Sequence, residues 1–307
     1  MDNNLIITKE SVVRLSEDEK NNEFIAVESI SFAQDVWRRF IRNKIAFGGL
    51  VFIVIASAFA ILGPVLSSYG YDQTNLAEVN LGPCAAHWFG TDSLGRDLFV
   101  RVMYGARISL TVGLAATLIN LVIGIIYGGI AGFFGGRCDQ VMMRIVDIIY
   151  SIPTLLYVLL LTMVIGSGMG SIILAIAISS WAGMARIVRG EVMQLKEQEF
   201  AVAARVIGAG KMRILFNHLI KNVMGPIIVT ATLNIPAAIF TESFLSFIGA
   251  GIAIPKASWG TLCNEALATM FYYPHQLAFP VAAICLTMFS LNFIGDGLAD
   301  AFDPKRK

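Results

Sequence analysis

The chain is poor in charge: only 15% of its 307 residues are Asp, Glu, Lys or Arg, while 56% are hydrophobic. A soluble domain carries about a quarter charged residues, so the apolar surplus here must face lipid. The 23 basic and 22 acidic side chains nearly cancel, which removes the basic face that a nucleic-acid partner demands. Histidine is scarce, with His87, His218 and His275 far apart, and neither H-E-x-x-H nor G-x-S-x-G occurs. No catalytic residue is therefore nominated. Cys84, Cys138, Cys263 and Cys285 form no C-x-x-C pair, so neither a zinc site nor a redox motif is suggested. The first 44 residues contain no apolar stretch of the kind a cleavable signal requires, and the first apolar segment is expected to be retained.

What is present is a series of long apolar runs. Ile45 to Leu66 and Ile108 to Gly136 contain no charged side chain and each is long enough to cross a bilayer core, which takes about 20 residues. Ile148 to Ala185 is also uncharged but too long for one crossing. The Gly166-Ser167-Gly168-Met169-Gly170 run divides it into spans three and four. A fifth span is read from about Asn222 to Phe247 and a sixth from about Leu277 to Leu298. Pro153, Pro236 and Pro280 do not veto these assignments, because neighbouring groups in a membrane bundle can satisfy the freed carbonyls.

Six crossings put both termini on one side. With the termini cytoplasmic, only Arg96, Arg101, Arg107 and Lys256 of the basic residues fall outside, as the positive-inside rule requires. Cys84 and Cys263 would share that outer face, and their spacing neither joins nor separates them. Within span two, Gly124, Gly128 and Gly132 recur every fourth residue, a stripe on which another helix can approach closely. Before span one, Phe32, Val36 and Phe40 lie on one helical face with Arg38, Arg39, Arg42 and Lys44 beside them, the pattern of a helix lying in the interface. Residues 1–30 read as a flexible cytoplasmic tail.

The most informative stretch joins spans four and five. From Glu199 to Gly210, the residues Phe200, Ala203, Ala204 and Ile207 share one helical face. Gly208 and Gly210 then permit a turn, and a second short helix carries Ile214, Leu215 and Leu219. Two short helices here make a knob on the cytoplasmic side. Gly208-Ala209-Gly210-Lys211 looks like the end of a phosphate-binding loop, but Arg205 stands where its first Gly belongs and Met212 where Ser or Thr should hold magnesium. This stretch therefore forms no phosphate cradle.

At Glu199, Ala203, Ala204, Gly208, Ile214 and Leu219 the chain resembles the E-A-A loop of the membrane subunits of ATP-binding-cassette (ABC) importers. A second set of matches is Phe89-Gly90-Thr91-Asp92 with Gly95-Arg96-Asp97, then Tyr104-Gly105-Ala106-Arg107 and Ser109-Leu110. Ser243 to Gly249, Ser258-Trp259-Gly260 and Asp296 to Pro304 complete it. Together they resemble the C-type permease subunit of the oligopeptide/dipeptide/nickel branch over about Arg38 to Lys305.

The resemblance implies an all-α polytopic membrane protein with six transmembrane helices and the type I ABC importer permease fold. It implies a non-enzymatic transport subunit in the inner membrane that binds no cofactor and no metal itself, with ATP and magnesium held in partner subunits. Those partners would be a homologous B-type permease, two cytoplasmic ATPases and an extracytoplasmic solute-binding protein. The chain would comprise the tail 1–30, an interfacial helix with the first span and outer loop over 31–106, a core permease domain over 107–300 and a short tail over 301–307. The core would hold the coupling loop 196–221, whose Glu199, Ala203, Ala204, Arg205, Gly208 and Ile214 would meet the ATPase. Asp92, Gly95, Arg96 and Asp97 would contact the binding protein or shape the surface it meets, although taken alone Gly95-Arg96-Asp97 also reads as a loop tied by one surface ion pair.

Charged groups inside a membrane usually face a water-filled path or a partner. Glu242 is the leading candidate to line the passage, with Asn234 and Asn292 behind it. The implied cargo is a di- or oligopeptide, with nickel as the alternative. A stand-alone channel or ion-coupled carrier is the rival from another class. It calls for paired ionisable groups near the membrane midplane, and the spans offer almost none.

Overall fold

The computed structural model describes residues 31–252 and 255–303. The predicted tail at residues 1–30 and the basic residues 305–307 lie outside the described residues. Among those described, every regular element is helical apart from an isolated antiparallel bridge between Thr91 and Asp97.

Helix α1, Phe32–Arg42, opens with a reciprocal cap: Gln34 N–H donates to Ser31 Oγ and Ser31 N–H donates to Gln34 Oε1. Its predicted apolar face exists, but Val36 and Phe40 are buried against protein rather than lipid. The reason is a close approach to the last helix. A Cβ on Gly297 would lie 3.2 Å from the Phe40 ring, and Arg39 donates to the Asp303 carbonyl at 3.3 Å. Trp37 and Ile41 are left exposed in their place.

Helix α2, Lys44–Leu66, is the first span, and α3, Leu98–Phe134, the second. At 37 residues α3 is about 55 Å long, well beyond the ~30 Å hydrocarbon core. Its first three turns carry Arg101 and Arg107, the latter donating to the Ala60 carbonyl at 3.2 Å and the Ile61 carbonyl at 3.0 Å near the end of α2. The expected third span is not one straight helix. Helix α4, Gly136–Ser151, and helix α5, Thr154–Ile165, meet at an angle of 79° across Ile152 and Pro153. Pro153 forces the residue before it out of helical geometry, and Ile152 is extended at ψ 123°. Helix α5 alone, at 12 residues, reaches only about 18 Å. The fourth span is α6, Met169–Leu195, reached through Gly166 and Gly168, both at positive φ.

After α6 come α7, Glu199–Val206, and a second helical segment. This runs from Lys211–Arg213 through a π-helical turn, Ile214–Leu219, to Ile220–Asn222. The fifth span is α8, Met224–Phe247, followed by the short α9, Trp259–Ala266, and by α10, His275–Phe302. Helix α10 runs past the predicted end of the sixth span into the predicted terminal tail. There Ala301 is buried and Phe302 packs near Phe32 and Gly225.

Helix α6 is the centre of the bundle: 61% of its most apolar stretch is buried, against 17% for α2, which leaves most of its surface for lipid. The predicted glycine stripe is the reason α6 sits so deep. Cβ atoms added to Gly124, Gly128 and Gly132 would lie 2.4 Å from Met184 Cγ, 2.2 Å from the Ala185 carbonyl oxygen and 2.7 Å from the Arg189 carbonyl oxygen. Backbone here meets backbone, which in lipid substitutes for the missing hydrophobic drive.

Gly128→Leu is therefore expected to separate α3 from α6 and cost about 1–3 kcal/mol, read as a lowered unfolding temperature in mild detergent. Gly183→Ala, where an added Cβ meets nothing within 4 Å, should leave that temperature unchanged or raised.

Candidate functional site

Two structured regions lie at opposite ends of α3. At its C-terminal end, α6 leads through 196–198 into α7, whose Ala201 is fully buried. Ala201 packs in one cluster with Met184, Val188 and Val192 of α6 and with Ile214, Leu215 and Leu219. The knob is thus held from beneath by apolar contacts. Helix α7 ends in a Schellman turn: Ala209 N–H donates to the Ala204 carbonyl at 3.0 Å and Gly208 N–H to the Arg205 carbonyl at 3.1 Å. Gly208 sits at φ 88° with open space around it. The glycine is required for its backbone conformation and not for room.

The side chains at this knob divide by direction. Glu199, Ala203, Arg205 and Gly208 are exposed and Ala204 is half-buried at the edge of the cluster. Ile214, expected on the partner-facing surface, is only 2% exposed and anchors the knob from within. The exposed apolar face is instead built from Phe200, Val202, Val206 and Ile207, the last two 82% and 86% exposed. With Glu197, Glu199 and Ala203, three of these residues line a shallow open groove. Val202 and Val206 lie beside the single stripe that helical periodicity picked out.

At the other end of α3, the loop from Ser67 to Asp97 folds back on itself. Asp92 is its hub. Its Oδ1 accepts the N–H groups of Leu94 at 2.8 Å and Arg96 at 3.0 Å, and its Oδ2 accepts Arg96 Nε at 2.7 Å and Arg101 Nη1. Glu265 on α9 completes the cluster, pairing at 2.7 Å with both Arg96 Nη2 and Arg101 Nη1. Arg101 is fully buried and Arg96 and Asp92 nearly so. The reading of one surface ion pair is therefore corrected to a buried network that joins the loop, α3 and α9.

Asp97 caps α3 by accepting Val100 N–H at 2.8 Å, and its other oxygen holds His87 Nδ1 at 2.8 Å. Gly95, at φ 70°, sits where a Cβ would be 1.8 Å from the Asn75 carbonyl. Asp92, Gly95, Arg96 and Asp97 are all buried, so the surface they shape is presented by others: Ser93 and Leu94 are exposed between them, and Trp88 is exposed on the side that faces Phe99 and α2. Burial pushes the Asp92 carboxyl up, but the Arg101 charge, the Arg96 and Leu94 amides and the Arg96 charge outweigh it and hold it below the ordinary carboxylate range.

Motifs distant in sequence converge on the same end. Trp259 Nε1 donates to the Val102 carbonyl at 3.0 Å, a Cβ on Gly105 would touch the Ser258–Trp259 backbone at 3.2 Å, and one on Gly260 would lie 2.1 Å from the Ser243 carbonyl. Glu242, expected to line a passage, is fully buried instead. It accepts hydrogen bonds from Ser109 at 2.7 Å and Ser246 at 2.8 Å and so clasps α8 to α3. Asn292, half-buried, spends its amide on the Met288 carbonyl of its own helix at 2.9 Å. Asn234 is half-buried on α8. Cys84 and Cys263 are both free, Cys84 exposed and Cys263 buried, where burial pushes its thiol up to about 12.

Comparison with known proteins identifies the family. Residues 121–307 match the family of binding-protein-dependent transport system inner membrane components, and residues 31–83 match the N-terminal TM domain of oligopeptide transport permease C. The chain is 50% identical over 283 residues to the oligopeptide transport system permease protein OppC of Bacillus subtilis, covering 92% of this chain and 93% of that one. It is 51% identical over 290 residues to the dipeptide transport system permease protein DppC of the same organism, covering 94% and 91%. To OppC of Escherichia coli K12 it is 45% identical over 289 residues, covering 94% and 96%. A chain of the inward-facing MetNI methionine ABC transporter superposes with a TM-score of 0.55 at 18% identity, covering 65% of this chain and 95% of that one, which supports the fold.

Because the folded Asp92 carboxyl is depressed, its contribution to stability is present above about pH 4 and lost as pH falls below it. Arg101→Ala removes the largest opposing charge, leaves Asp92 buried, and is expected to destabilise the fold by about 3–5 kcal/mol at neutral pH. Because Asp92 then loses the main cause of its depression, the gap in stability between the two proteins should be widest at neutral pH and narrow as pH falls below about 4. Unfolding temperature against pH for the two proteins checks both.

Proposed function

The chain belongs to the family of binding-protein-dependent transport system inner membrane components, and from that premise we propose that it is one of two permease subunits of an ABC importer for di- and oligopeptides. Relatives at about half identity over nearly the full length carry oligopeptide and dipeptide permease names, which favours peptide over nickel as cargo. They also favour an ATP-driven subunit over a stand-alone carrier.

The observation that carries the mechanism is the exposed apolar face of Phe200, Val202, Val206 and Ile207 on a knob seated by Ala201 and Ile214. A solvated helix does not leave such a contiguous apolar face open without a partner. We assign it to a groove of a cytoplasmic ATPase subunit, where ATP and magnesium are bound, with both termini of this chain on that same side of the inner membrane. Glu199, Ala203, Ala204 and Arg205 border the contact, and Gly208 fixes the turn behind it. Closure of the ATPases on ATP moves the knob, and coupling needs only contacts that differ between the two states.

At the opposite end, the buried network around Asp92, Arg96 and Asp97, with Gly95, shapes the loop on which an extracytoplasmic binding protein would dock. Contact itself falls to Trp88, Ser93 and Leu94. The passage is formed with the homologous second permease, and Asn234 and Asn292 are the polar side chains of this chain assigned to it.

Gly208→Val is expected to leave membrane insertion intact and to abolish ATP-driven peptide uptake, because a β-branched residue cannot hold φ near 88° without strain. Uptake that persists in cells carrying this variant removes the coupling role. Purification of the wild-type chain in mild detergent should bring down an ATPase and a different permease; peptide transport by the chain alone in vesicles contradicts the importer reading.

A further inference from the structure

Helix α4 is fastened to α6 at both ends by charge and in the middle by packing. Near its start, Asp139 is buried and forms a bidentate pair with Arg189, Oδ2 to Nη2 at 2.6 Å. Eight residues on, Asp147 pairs with Arg186 at 2.8 Å, and the same guanidinium lies 4.5 Å from the centre of the Tyr150 ring. Between the two pairs, Val146 is fully buried with Trp181, Ala182 and Ala185 of α6. Arg186 and Arg189 are three residues apart and so share one face of α6. Lys196, at the end of α6, donates to the Gly132 carbonyl at 3.0 Å, closing the corner where α3, α4 and α6 meet.

Position gives these pairs a mechanical meaning. Arg189 stands two turns before the end of α6, and only residues 196–198 separate that end from α7. On the other side, α4 ends at the 79° bend and continues as α5. A route from the knob to the broken third crossing that bypasses the apolar core therefore runs through α7, α6, the two ion pairs, α4 and the bend. The Asp139–Arg189 pair, with Asp139 buried, is the stronger hold, and the more exposed Asp147–Arg186 pair, with Tyr150 against its guanidinium, sets the orientation of the far end.

We propose that Arg186 and Arg189 of α6, with Asp147 and Asp139 of α4, are a latch that makes α4 follow the α6 end when the knob is displaced, so that the bend at Ile152 and Pro153 transmits the movement to α5. These are positioning residues, and they touch neither cargo nor nucleotide. The proposal rests on the coupling role assigned to α7.

The test uses the whole importer, with its second permease, ATPases and binding protein, reconstituted in vesicles, and reads peptide imported per ATP hydrolysed. Wild type must import in an ATP-dependent way; if it does not, the importer reading itself fails, whatever the variants do. Given that, Asp139→Asn and Arg189→Gln are expected to lower transport per ATP by about five-fold or more while ATP hydrolysis stays within about two-fold. The reversed pair Asp147→Arg with Arg186→Asp should transport better than either single change at those two positions. Three results overturn the latch: an unchanged ratio, hydrolysis and uptake falling in parallel as for a packing defect, or no recovery in the reversed pair.

Discussion

The structure depends on the close approach of α3 and α6. In hydrocarbon two helices gain nothing by hiding apolar surface from water, so contact has to come from backbone meeting backbone. Gly124, Gly128 and Gly132 allow it, with the carbonyls of Ala185 and Arg189 lying where side chains would otherwise be. Because α6 is fixed at that depth, its C-terminal end is fixed too. The knob that follows is then an extension of the most buried helix in the bundle and not a loose loop. Displacement of α7 would be felt along α6 and through α6 at α3, α4 and α5.

A second constraint acts at the far end of α3. A long helix that emerges from the lipid needs its terminus held, and here that falls to Asp97 as cap and to Arg101 as a buried cation bound by Asp92 and Glu265. The cluster is costly to desolvate and strongly destabilising to break, which suits a rigid platform. Gln276 at the start of α10 adds to it, donating to the Thr91 carbonyl and Asn80 Oδ1, both at 2.9 Å. The exposed Trp88, Ser93 and Leu94 are therefore presented by a frame whose buried charges are paired with one another.

Much of this was legible in the sequence. The apolar runs, the glycine stripe and the turn at Gly208 each have a local cause that a single segment displays. What was not legible shares one property, a partner far away along the chain. Arg96 and Arg101 look like surface charges until Glu265 closes on them from more than 160 residues away. Val36 and Phe40 suit a lipid surface equally well, and only α10 decides against it. Ile214 lies inward because Val188 and Val192 wait beneath it, and Glu242 is withdrawn from any path by Ser109 on another span. The bend at Pro153 is a different case. Pro153 bars Ile152 from helical geometry, yet proline in a membrane helix is also compatible with a crossing that continues, so the 79° angle between the two halves is not written in the segment itself.

The central claim is that the exposed apolar face of α7 is seated in a nucleotide-hydrolysing subunit. Photoactivatable side chains placed singly at Val206, Ile207 and Leu215 in membranes containing the complete importer test it most directly. Positions 206 and 207 should crosslink to the ATPase, in a manner that changes with nucleotide, while position 215, buried in the chain, should not. Crosslinks from 206 and 207 to lipid alone, or to no nucleotide-hydrolysing protein, would contradict the account.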